Sequence, residues 1–71
     1  MTNDVTIYVS QPATKRAPWR VRTFDCPERE FPTEIEAVAA ATQYAQMIEA
    51  NGGRVTVKVE CSDGSWNVHR A

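Results

Sequence analysis

The apolar positions of this chain recur with two different periods, and each change of period marks a new element. In residues 5–9, VTIYV, Val5, Ile7 and Val9 alternate with Thr6 and Tyr8, as in a strand with one buried face. A polar loop with Pro12 and Pro18 follows. Trp19 and Val21 then alternate with Arg20 and Arg22, which predicts a second strand over 19–24. The stretch DCPEREFP reads as a connector stopped by two prolines.

From 34 to 50 the period becomes helical. Thr33 and Glu36 have the spacing of a capping box, in which the threonine hydroxyl accepts from the amide three residues on. The segment holds six alanines and neither proline nor glycine, so helix propensity is high throughout. Ala37, Val38, Ala41, Tyr44, Ala45 and Ile48 share one face. Small side chains there let the helix sit close to a sheet, with Phe31 packing on the same core. Asn51-Gly52-Gly53 ends the helix, because glycine accepts the left-handed conformation at low cost.

Period two returns in RVTVKVE (54–60) and again in WNVHR (66–70). Asp63-Gly64 between them is a favoured dipeptide for a two-residue type I′ turn. That turn would pair Cys61 with Trp66, Glu60 with Asn67, Val59 with Val68 and Lys58 with His69. Cys61 and Trp66 would then point into the core, while His69 would point out on the opposite face, away from the thiol. The first and last strand pairs echo each other as V-T-[IV]-x-V followed by W-x-V-[RH]. The expected fold is therefore α+β in ββαββ order: residues 1–71 form a single domain, a four-stranded, mainly antiparallel sheet with one α-helix packed on one face. Strands are expected at about 5–9, 19–24, 54–60 and 66–70, and the helix at about 34–50.

At 71 residues the chain is near the size where one core barely suffices. No apolar run approaches the ~18 residues a membrane span needs. The start, MTNDVTIYVSQ, lacks the basic and apolar regions of a signal peptide, so a soluble, cytoplasmic protein with no membrane contact is expected. Cys26 and Cys61 then stay reduced. With one histidine beside them they make no structural zinc set. Glycine-rich phosphate loops, nucleophile elbows and H-E-x-x-H are absent, and Glu34 and Glu36 lie two apart on a helix, facing different ways. Neither an enzyme nor a cofactor is expected.

Candidate chemistry is confined to the sheet face turned away from the helix. Alternation assigns it Thr6, Tyr8, Arg20, Arg22, Phe24, Arg54, Thr56, Lys58, Glu60, Asn67 and His69, four Lys or Arg with a single acid. Lys15 and Arg16 in the first loop are positioned to add to it. Most acids fall on the helix and its lead-in, so a chain of formal net charge −1 is expected to be electrically two-sided. Cations for phosphates and rings for bases are what single-stranded nucleic-acid binders use.

Trp19 and Val21 in the second strand, Phe31, Thr33, Glu36 and Ala37 at the helix start, Ala41 and Ala45 along it, and Asp63, Gly64 and Trp66 in the last hairpin form a pattern. It resembles a short bacterial ββαββ family of unknown function, with W-x-V, F-x-T-x-x-E-A and D-G-x-W motifs. The likeness runs over about 5–70, and the Ser10–Pro18 loop is longer than the usual connection. It implies a fold and no activity. In size and layout the chain is also similar to small phage-encoded inhibitors that block a larger complex. The expectation is a non-enzymatic binding module, with Tyr8, Arg20, Arg22, Arg54, Lys58 and His69 contacting single-stranded nucleic acid or another phosphate-bearing partner. The alternative is a protein-interaction module, either a homodimer extended through its edge strands or an inhibitor docking on a larger complex.

Overall fold

A computed structural model describes residues 4–23 and 27–70, the last by its backbone alone. The chain runs β1 (Asp4–Ser10), β2 (Trp19–Arg22), β3 (Arg29–Phe31), α1 (Glu34–Ala50), β4 (Arg54–Glu60) and β5 (Trp66–Arg70). The strands form one five-stranded sheet in the order β3-β2-β1-β4-β5. The α+β class and the single helix are as expected. The strand count and the sheet type are not: the sheet is mixed, with β1 and β4 paired in parallel at its centre. The additional strand, β3, lies in the segment expected to be a connector, where Arg29, Glu30 and Phe31 pair with Val21, Arg20 and Trp19. Three residues are too few to show a period, and the flanking prolines mark ends of pairing rather than its absence. β2 ends at Arg22; Phe24 and Cys26 lie outside the described residues.

Parallel neighbours need a crossover connection, and α1 supplies it by carrying the chain from one edge back to the centre. The two echoing segments meet directly. Val5 stands opposite Val55, Thr6 opposite Thr56, Ile7 opposite Val57 and Val9 opposite Val59. Flanked on both sides and roofed by the helix, these strands supply the core: Ile7, Val9, Val55 and Val57 are buried with Val21, Ala37, Ala41 and Ala45. Trp19, Phe31, Val38, Tyr44, Ile48 and Val59 pack around them.

The helix ends are built as the sequence implies. Thr33 takes an extended backbone, and its Oγ1 accepts from the Glu36 amide at 3.2 Å. At the far end Gly52 (φ +88°) lets its own amide reach Glu49 O and the Gly53 amide reach Ile48 O, both at 3.0 Å. These two bonds satisfy carbonyls that the last turn leaves open. The buried alanines recur every fourth residue, one stripe on one side of the helix. α1 packs on β1, β2, β3 and β4 but does not reach β5. The last strand is left uncovered on both faces.

Because the alanine stripe sets the helix–sheet spacing, Ala41→Leu should cost roughly 1–3 kcal/mol by overpacking. The same change at exposed Ala39 should stay within about 0.5 kcal/mol. Urea midpoints measured for both variants check this, and equal midpoints would contradict the packing described.

Candidate functional site

Which β5 side chains reach the open face is decided by the turn before that strand. The Cys61 amide donates to Ser65 O at 2.7 Å and the Gly64 amide to Cys61 O at 2.9 Å. Gly64 has φ +89°, while no other residue type among those described has positive φ. A type I′ turn needs positive φ at both central residues, so Asp63 excludes it. The loop is instead three residues, Ser62 to Gly64, closed by a left-handed glycine. Asp63 holds it: one carboxylate oxygen accepts from the Ser65 amide at 2.9 Å and the Ser65 hydroxyl at 2.6 Å.

One extra loop residue moves the register by one and turns Trp66, Asn67 and Val68 over. Glu60 faces Trp66, Val59 faces Asn67 and Lys58 faces Val68. Trp66 and Val68 therefore stand on the open face, 43% and 58% exposed, rather than in the core. The pairing then slips, with Val57 opposite Arg70, leaving His69 as an extra residue. His69, expected on the open face, instead lines a groove on the helix side of β5 with Asn67, Val59, Ile35, Val38 and Cys61. The groove is a broad, open one of about 1020 Å³, lying where α1 stops short of β5. Cys61 is half-buried at its rim, not in the core, and its Sγ accepts from Asn67 Nδ2 at 3.0 Å. Cys61 and His69, expected on opposite faces, thus line one groove.

On the open face, register places Arg22, Tyr8, Lys58 and Val68 side by side across β2, β1, β4 and β5. Trp66 meets Tyr8 edge to face, with ring centroids 5.4 Å apart. Tyr8 is 37% exposed, so the two rings and Val68 form an apolar patch around Lys58. Arg54 lies further along β4, opposite Asp4. Arg20 stands between Ser10 and Glu30, half-buried, with its Nε enclosed and unpartnered. The four expected cations do share the face, but among the described residues the acids there are Asp4, Glu30 and Glu60 rather than Glu60 alone. Glu60 accepts from the Gln11 amide at 2.8 Å, while Gln11 Nε2 donates back to Glu60 O at 3.1 Å. Lys15 and Arg16 occupy an exposed turn in which the Ala17 amide donates to Thr14 O at 3.2 Å.

Among the described residues, no three His, Cys, Asp or Glu side chains gather as a metal site. No described helix is long and apolar enough to cross a membrane. No family model, curated protein or solved structure matches the chain. Sequence reasoning missed Trp66 and Val68 as surface residues. The available signal was Asp63 itself, which suits the second turn position ahead of a left-handed glycine as well as it suits a two-residue turn.

The hydrogen bonds from Ser65 hold the Asp63 carboxyl below its ordinary value of 3.8, the hydroxyl contributing more than the amide. A carboxyl depressed by folding stabilises the folded hairpin above its unfolded pKa, and that contribution disappears as pH falls through the lower folded one. Carboxyl chemical shifts should give a midpoint below 3.8 that Ser65→Ala moves upward. An unmoved midpoint would remove the proposed hold on the turn.

Proposed function

We propose that this chain is a small non-enzymatic binding module that docks on a protein partner through the open face of its sheet. The observation that carries this reading is the exposed cluster of Tyr8, Trp66 and Val68 around Lys58, bordered by Arg22. Interface centres are enriched in Tyr, Trp and Arg, with charged groups at the rim. Tyr and Trp also order cheaply for the area they bury. Near balance of charge, four cations with Asp4, Glu30 and Glu60, suits a mixed protein surface better than a polyanion. A photo-crosslinking residue placed at Trp66 or at Val68 should yield the same discrete adduct in native lysate. Tyr8→Ala should abolish it, and the same residue at exposed Gln43 on the helix should yield none. Equal adducts from Gln43 would discard the face as the contact surface.

A second reading, a single-stranded nucleic-acid binder, draws on the row Arg22, Tyr8, Lys58, which contains no acid and alternates cation and ring. Phosphate contacts make such binding steeply salt-dependent. Titration with oligothymidylate and oligouridylate at low and at near-physiological salt tests it. The expected outcome is binding at low salt that weakens with added salt and with Lys58→Ala. No binding at low salt eliminates this reading while leaving the protein interface intact.

A further inference from the structure

The two edges of the sheet are guarded differently. β3 has three residues, two of them the charged Arg29 and Glu30, and a short, charged edge resists pairing. β5 carries no charge from Trp66 to Val68 and no proline. Its backbone is also turned outward there. Because the Cys61 amide bonds Ser65 O, the next bonded pair in an antiparallel ladder is Val59 with Asn67. The amides and carbonyls of Trp66 and Val68 therefore face away from β4, and β5 is the outermost strand. The slip at His69 turns Arg70 back onto Val57, so the open template is confined to residues 66–68.

We propose that two copies of this chain pair antiparallel along β5, about a two-fold axis at Asn67, and join their sheets into one. A second copy is the occupant because the edge complements itself. The axis at Asn67 sets Trp66 against Val68 of the second copy, and the reverse, so all outward backbone groups of both residues find partners. Apolar side chains meet on the open face, and Asn67 meets its own counterpart on the helix side, with no like charges opposed. An axis at Val68 would need the Arg70 backbone facing outward, which the slip forbids. The core supplies the need: among the described residues, three of the eight buried ones are alanine, and only Ile7, Val9 and Val57 are large and fully buried. Domains this small with so thin a core gain from association. In the dimer both helices lie on one side of the joined sheet, and the two Tyr8–Trp66 patches lie on the other as one surface.

Light scattering or sedimentation across a concentration series up to millimolar reads the dimer directly. The mass should rise from one chain to two. Val68→Pro removes an outward amide but no bond to β4, so it should give a folded monomer at every concentration, while Val68→Ala, which keeps that amide, should still dimerise. Should Val68→Pro unfold, a charge swap decides: Asn67→Lys and Asn67→Asp should each be monomeric, and their equimolar mixture dimeric, because like charges directly opposite repel and unlike ones attract. Tyr8→Ala should leave the mass unchanged, which separates this pairing from docking on the open face. A wild-type chain that stays monomeric throughout, or a dimer that survives both Val68→Pro and Asn67→Lys, would overturn the proposal.

Discussion

The parallel pairing of β1 with β4 is the contact on which the other elements depend. It sets two valine-rich segments side by side in matched register, and its connection has to cross the sheet, which gives α1 both its place and its length. Once the helix lies over the central strands, the buried faces of β1, β2 and β4 are determined, and so are the exposed ones. Packing is tight because alanine, rather than a larger residue, fills the contact stripe. The helix roofs the centre well and leaves β5 bare. That geometry creates both the helix-side groove and the freedom of the last strand to face its apolar residues outward.

A buried face normally fixes the register of its strand, since a slip by one residue would expose the core. β5 has no helix above it, so that constraint is absent and the turn decides instead. Gly64 in its left-handed conformation, tied by the Asp63 carboxylate to Ser65, sets the loop at three residues. Trp66 and Val68 consequently join Tyr8 rather than the valines of β4. A local backbone preference has thus composed the apolar patch of the open face.

Much of the fold is legible in the chain because burial there leaves a period. Val5, Ile7, Val9, Val55 and Val57 alternate, the alanine stripe repeats every fourth residue, and Thr33 and Gly52 mark the helix ends. β3 was illegible for want of length, and the parallel pairing because alternation is the same whichever direction a neighbour runs. The candidate site was half legible. Tyr8, Arg20, Arg22, Arg54 and Lys58 follow from strands whose other face is buried. Trp66, Val68, Asn67 and His69 do not, since apolar and polar residues alternate equally well in either register. Asp4 and Glu30 escaped notice because one begins a strand and the other lies in the short one, and together they turn a basic face into a nearly balanced one.

The alanine stripe also bears on how such a chain can change. The interior is made by short side chains on the central strands, whereas the outward residues of β1, β2, β4 and β5 contribute little to it. Substitutions across that outer surface can therefore accumulate without repacking the interior, and recognition can diverge while architecture is kept. A frame of this kind would tolerate randomisation of its outer sheet positions in a selection for new ligands, with the helix left untouched.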